Sequence, residues 1–440
     1  MGNLPKGSKK LLNAWAFYDW ANSVYSLVIA SAIFPIFYGA LTIIKNEDGT
    51  VITDTVRFMG FDFNNDTLIS VVTGSAFLMV SILSPLLSGI ADYVGNKKVF
   101  MKFFCYLGAV SCIGLYFFSL EYLWFGLLCY FLALIGFWSS LVFYNSYLPD
   151  IAFTEQQDRI SAKGYSLGYI GSVILLLICL GMILGYETFG FEDEGLPTRL
   201  SFILTGIWWI GFSQYTYWHL PKGNKEQKFT KDLLFNGFKE LRMIWNKMKH
   251  NVRLKRYLGA FFVYSMAVQT IMLVATYFGI EELEWGETDS TTGLIVSILL
   301  IQLVAVLGAY LTSRSSAKFG NIPTLMVLNV IWIAICVYAY TITSPTQFYA
   351  TAACVGLVMG GIQSLSRSTY SKFIPEGALD TASYFSFYDV SEKIGIVIGM
   401  FSYGYVAQVT GSIRYAILFF ILFFVVGLLL LFRVPRNSED

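Results

Sequence analysis

Apolar and polar positions alternate along this chain in long blocks, not residue by residue. Twelve runs of mostly apolar residues stand out, at 12–40, 67–91, 99–119, 122–148, 164–186, 199–220, 257–280, 291–312, 322–343, 346–370, 384–408 and 413–433. Runs of about 20 apolar residues are what an α-helix needs to cross the hydrocarbon of a bilayer. The pattern therefore predicts an all-α membrane protein of twelve transmembrane helices, with the lipid bilayer as its solvent. Composition agrees: 56% of the 440 residues are hydrophobic and 13% charged, against roughly 25% charged in soluble domains. The mean hydropathy is +0.60. The basic start MGNLPKGSKKLL resembles a signal peptide's n-region, but the run behind it is too long and too polar for a cleaved segment and is kept as the first span.

Charge sets the orientation. With the N-terminus inside, 25 of the 30 Lys and Arg fall in the inner segments and the adjoining span ends. Lys45, Arg57, Arg199 and Arg414 lie outside, and Lys393 lies within a span. The outer loops are acidic, as in EELEWGETD (281–289) and EDE (192–194). The positive-inside rule thus places both termini in the cytoplasm. The one long inner loop, 221–256, is basic and helix-capable, and reads as an interfacial linker on anionic lipid. A formal charge of +1 gives no basis for a nucleic-acid partner. The six cysteines fall inside apolar runs with no CxxC or Cys/His spacing, so neither disulfides, a metal nor any other cofactor is expected.

The chain also repeats itself. DYVGNKK (92–98) follows span two and AKFGNIP (317–323) follows span eight, their Gly-Asn pairs offset by 225. YNSYLPD (144–150) follows span four and YSKFIPE (370–376) follows span ten, matching at offset 226. Two pseudo-symmetric six-helix halves, 1–220 and 257–440, are expected around the 221–256 linker. This plan resembles the major facilitator superfamily of secondary transporters, and SGIADYVGNKK (88–98) resembles that superfamily's loop motif. Gly95 permits the tight turn, and Asp92 can face helix N-termini when the inner side is closed. Ala317 replaces the acid in the second copy, which is expected to be weaker.

In such a fold spans one, four, seven and ten line the cavity, and here they carry polar stripes at helical spacing. Asp19, Asn22, Ser23 and Ser26 lie on span one, Tyr144 and the neighbouring Asn145 on span four, and Gln269 on span seven. Gln363, Ser366, Arg367 and Tyr370 lie on span ten. Span eleven adds FYDVSEKIG (387–395), with Asp389, Glu392 and Lys393 on one face. A charge at bilayer depth costs on the order of 2.5–3.5 kcal/mol, so these groups must pair or meet water. Two roles are open for the acids: a proton carrier, or members of an inner gate of salt bridges that never titrates. Arg367 could hold a substrate carboxylate through its planar fork or anchor the inner end of span ten. Gly164, Gly168 and Gly171, and Gly395 and Gly399, suit close helix contact.

FYDWANSVYSLVIASAIFPIFY (17–38), FYNSYLPDIA (143–152), GYSLGYIGS (164–172), GGIQSLSRSTYSKFIPE (360–376) and FYDVSEKIG (387–395) resemble the vacuole-effluxer family. That family comprises fungal autophagy-related vacuolar amino-acid effluxers and their bacterial relatives. The resemblance implies a twelve-span secondary transporter and, by analogy, export of amino acids. Many relatives carry an acid in span seven, whereas VYSMAVQT (263–270) has none; any coupling then shifts to Asp19 and span eleven. Compactness suits a bacterial plasma membrane better than a fungal vacuole. The rivals are a transporter of lipid-like or drug-like compounds and a non-transporting membrane sensor. The polar stripes favour a small polar solute. No HExxH, GxGD or Ser–His arrangement supports an enzyme, and the lack of an oxygen-rich cage favours protons over sodium.

Overall fold

A computed structural model describes residues 4–45, 51–223, 233–285 and 290–435. The parts of the 221–256 linker and of the 281–289 acidic loop that fall between these ranges lie outside the described residues. The chain is helical almost throughout. Helix α1 is Lys9–Thr42, followed by α2 (Asn65–Val94), α3 (Lys97–Gly114), α4 (Leu123–Ser146), α5 (Thr154–Leu184) and α6 (Gly195–His219). A linker helix, Leu233–His250, leads to α7 (Val252–Glu281), α8 (Ser290–Phe319), α9 (Asn321–Ala339), α10 (Pro345–Phe373), α11 (Thr381–Thr410) and α12 (Ile413–Phe432). Ten of these are long and apolar enough to cross a membrane. The other two are α6, rich in Trp and Tyr, and α11, which carries Asp389, Glu392 and Lys393.

Local chemistry fixes several helix starts. Ser344 and Gln347 form a capping box ahead of Pro345, where a missing N–H costs nothing. Asn251 accepts from the Leu254 N–H at 2.9 Å and starts α7. Gly95 (φ +73°) and Gly320 (φ +88°) make the turns between α2 and α3 and between α8 and α9. Both occupy backbone space that a side chain disfavours, so the repeat of these glycines has a steric reason.

Three features differ from the hydropathy reading. Helix α5 starts ten residues before the predicted span, at Thr154, and α8 runs seven residues past its predicted end, to Phe319. Both ends are polar, and each buries part of its surface in protein, Gln157, Asp158 and Ser161 on α5 and Ser316 on α8, so hydropathy falls while the helix continues. The α1–α2 connection holds two short antiparallel hairpins, Ile44–Lys45 with Val51–Thr53 and Thr55–Phe58 with Phe61–Asn64, which apolar-run counting does not detect. Finally, α1 is not α-helical throughout: its nine residues Tyr25–Ile33 form a π-helical segment.

Two apolar cores follow the repeat. One gathers residues of α1–α6 around Trp15, Tyr18, Phe34 and Trp209. The other is built mainly from α7–α12 around Tyr257, Tyr264, Trp332 and Phe424. The halves meet where α5 packs on α8 and α10, and where α2 and α4 pack on α11.

Candidate functional site

The approach of α5 to α1 prepares the site. A Cβ on Gly164 would lie 2.3 Å from Asp19 Oδ2, and one on Gly168 2.4 Å from Ser23 Oγ. Only glycine lets the two helices come this close. Trp15 then stacks on Tyr144 at 4.5 Å and donates its Nε1–H to the Tyr144 carbonyl at 2.9 Å. This fixes the Tyr144 hydroxyl, which donates to Asp19 Oδ2 at 2.9 Å.

Arg367 enters this pocket from α10 of the other half. Its Nη1 and Nη2 each donate to Asp19 Oδ2 at 3.1 Å. Nη1 also reaches Asn145 Oδ1 (3.3 Å), Nη2 the Ser161 carbonyl (3.0 Å) and Nε the Ser161 hydroxyl (2.9 Å). These five hydrogen bonds match the five N–H donors of a guanidinium. Tyr165, Trp15 and Tyr144 face the cation at 4.2, 4.9 and 5.5 Å. Arg367 is 2% exposed and Asp19 4%. The pair is buried, and every N–H of the guanidinium finds an acceptor, which helps a buried ion pair repay its desolvation. Ser161 in turn donates to the Ser364 carbonyl at 2.7 Å, and Tyr169 to Gln363 Oε1 at 2.8 Å, both across the interface.

A second charged group lies on α11. Lys393 Nζ sits 3.1 Å from Asp389 Oδ1 and 2.6 Å from Glu392 Oε2, with the Trp138 ring of α4 3.6 Å beneath it. Ser84 of α2 donates to Asp389 Oδ2 at 3.0 Å, and Gln269 of α7 to Glu392 Oε1 at 2.8 Å. Each carboxylate oxygen therefore has a donor. The second bond of Asp389 crosses to the other half, whereas that of Glu392 stays within its own. Lys393 lies about 18 Å along a helix of about 45 Å, at 1.5 Å per residue.

The two repeated turns bind the opposite half in different ways. Asp92 accepts from the backbone N–H of Ser383 at 2.6 Å and of Ala382 at 3.3 Å, at the N-terminus of α11. This is where a helix favours negative charge. Lys97 bonds Asp150, the Ser146 carbonyl and Thr381 Oγ1 of α11. In the second copy the acid comes from the facing helix. Asp158 of α5 pairs with Lys372 at 2.6 Å and accepts from Asn321 at 2.9 Å and Ser316 at 3.0 Å. Loss of the acid at Ala317 is thus offset by an acid on the partner half, and the expectation of a merely weaker copy is corrected.

Asp92→Asn removes a charge-assisted bond worth about 1.5–3 kcal/mol. It should raise maleimide labelling of a buried Ser371→Cys, in a cysteine-free background, by roughly tenfold or more from the side bearing the termini. Unchanged labelling would show that the turn does not hold the halves together.

Some predicted residues lie elsewhere. Ser366 is bonded by Tyr264 (2.7 Å) and its carbonyl by Tyr257 (2.9 Å), both on α7. Tyr370 donates to the Tyr384 carbonyl and packs on Phe385 and Tyr388. Both are buried in the interior of α7–α12 in this structure. Ser26 is exposed on the π-helical segment. Ser23 donates to Asn22 Oδ1 at 3.3 Å, and Asn22 Nδ2 is buried without an acceptor among the described residues. The sequence reading gave no site role to Ser84, Trp138, Asp158, Ser161, Asn321 and Lys372; among these, Asp158, a carboxylate in the polar run after span four, and Asn321, in the repeated Gly-Asn pair, left a signal to follow.

The architecture is that of a major facilitator superfamily transporter. It superposes on the transporter FucP in its outward conformation with a TM-score of 0.68 at 14% identity, covering 97% of this chain and 99% of that one. A bacterial homologue of the iron transporter ferroportin, in an outward-facing state, gives 0.65 at 13% identity, over 97% and 99%. The family described as vacuole effluxer Atg22 like matches residues 7–439, and the chain belongs to it. It is 31% identical over 433 residues to the MFS-type transporter YxiO of Bacillus subtilis, covering 97% of this chain and 95% of that protein. Autophagy-related protein 22-1 of Phaeosphaeria nodorum is 23% identical over 531 residues, covering 98% and 91%.

Proposed function

We propose that this transporter moves a small polar solute, an amino acid, across a bacterial plasma membrane by alternating access, in the export direction that the family implies. All of α1–α12 span the bilayer in this reading, with both termini and the 221–256 linker in the cytoplasm. The polar contacts between the halves described above lie on the part of the helices nearer the termini, so the inner side is closed. The observation that carries the reading is Arg367. A fully buried cation of one half, saturated by Asp19, Asn145 and Ser161 of the other, has to be released whenever the inner side opens.

Asp19 and Arg367 then act as the inner gate, and Asp389 is the proton site. Asp389 shares Lys393 with Glu392, so the cluster holds two acids and one base, and its Ser84 bond exists only while the halves are closed. An acid whose donors change with conformation can take and give up a proton in step with the cycle.

Counterflow in proteoliposomes tests both parts. Vesicles loaded with unlabelled amino acids should take up a labelled subset saturably. Asp389→Asn should keep this exchange but lose accumulation driven by a pH gradient. Loss of both would return Asp389 to the gate. Absence of exchange for every amino acid, with folded protein, would overturn the substrate class.

A further inference from the structure

The linker helix Leu233–His250 makes none of the contacts of the two charged groups described above. It lies at the ends of two long helices: Asn251 joins it directly to α7, and it packs on the end of α2. Ile244 and Met248 are its buried anchors, and Trp245 meets Phe387 of α11 at 5.5 Å. Lys247 bonds Asp380, the residue before α11, at 3.0 Å. The helix thus bridges α2 of one half and α11 of the other.

Its outer side is organised differently. Lys239, Arg242, Met243, Asn246, Lys247 and His250 follow at i, i+3, i+4, i+7, i+8 and i+11, which places them on one face. With Tyr93 at the end of α2 and Glu240 on the flank, they line a groove of about 660 Å³. Beside it Phe238 is 60% and Trp245 46% exposed. A groove with three cations, of which Lys247 is already paired with Asp380, and one carboxylate, edged by exposed apolar side chains at the end of membrane-crossing helices, matches a phosphate held by Lys239 and Arg242 and joined to acyl chains. A free anion would have no use for the apolar edge.

We propose that this groove binds the headgroup of an anionic phospholipid, with Lys239 and Arg242 on the phosphate and Phe238 and Trp245 among the first acyl carbons. The bound lipid lies against a helix that touches α2 of one half and α11 of the other. The proposal needs no particular solute or coupling ion, and its test does not use transport.

The full-length protein in detergent is titrated with phosphatidylglycerol or phosphatidylcholine, and retained lipid is counted by native mass spectrometry. Phosphatidylglycerol should be retained at least tenfold more tightly. The Lys239→Gln/Arg242→Gln variant should lose that preference, while Lys102→Gln on α3, which does not line the groove, keeps it. Both variants change exposed or half-buried side chains, and an unchanged melting temperature confirms that they fold. Equal retention of the two lipids by wild type, or an undiminished preference in the double variant, overturns the proposal. Displacement of the lipid by millimolar inorganic phosphate would assign the groove to a free anion and overturn it as well.

Discussion

Arg367→Gln is expected to be the most damaging single substitution in the interface. It leaves the Asp19 carboxylate 4% exposed and facing only the Tyr144 hydroxyl among its present donors. Removing one partner of a buried pair costs about 3–5 kcal/mol, most of it the stranded charge. The variant should melt well below wild type in detergent, and a cysteine placed in the closed interface should become labelled from the side bearing the termini. Asp19→Asn/Arg367→Gln removes both charges and should recover most of the stability. Arg367→Lys should not, because one ammonium, with three N–H donors, cannot replace five hydrogen bonds to four acceptors spread over Asp19, Asn145 and Ser161. If the double variant is no more stable than Arg367→Gln, the pair is not what holds these helices.

Gly164→Ala comes second. The added methyl would fall 2.3 Å from Asp19 Oδ2, 3.0 Å from Arg367 Nη2 and 3.2 Å from the Tyr144 hydroxyl. No nearby atom can yield without breaking one of the bonds just named, because Asp19 is short and its position is fixed from three directions. Overpacking of this kind costs about 1–3 kcal/mol, here paid by the closed arrangement specifically. Gly181, on the same helix, meets nothing within 4 Å of its would-be Cβ. Gly181→Ala should therefore be neutral or gain up to about 1 kcal/mol in helix propensity. The contrast is measured by melting temperature and by labelling of the interface around Asp19 and Arg367 in both variants. Equal behaviour would mean that α1 and α5 have room to spare.

Much of this fold is legible because a bilayer imposes one length and one polarity on every crossing helix. The apolar runs marked helices at every span, and the repeat offsets found Gly95 and Gly320 before their backbone angles were known. What hydropathy cannot register is a polar helix end buried against protein, and so the first turns of α5, with Asp158 and Ser161, fell into a loop. The stripe on α10 is divided between neighbours. Gln363, Ser366, Arg367 and Tyr370 share a face about 100° wide, broad enough to meet two neighbours. Gln363 and Arg367 turn towards α5, while Ser366 and Tyr370 turn towards α7 and α11. Ser84 and Trp138 were beyond reach because nothing about a serine or a tryptophan in an apolar run announces a lysine in the other half of the chain.

The π-helical stretch Tyr25–Ile33 gives α1 a property that a uniform α-helix lacks. A wide turn bonded i to i+5 carries a surplus residue. If that surplus migrates along the rod, each residue it passes swings by about 100° around the axis, while the ends stay anchored by Asp19 below and by Tyr38 and Thr42 above. Under that condition the helix would work as a swivel, exchanging which of Ser26 and its neighbours points inward without sliding or unwinding. Deleting one residue inside 25–33 would remove this slack and leave both anchors in register, freezing the rotation while sparing the fold.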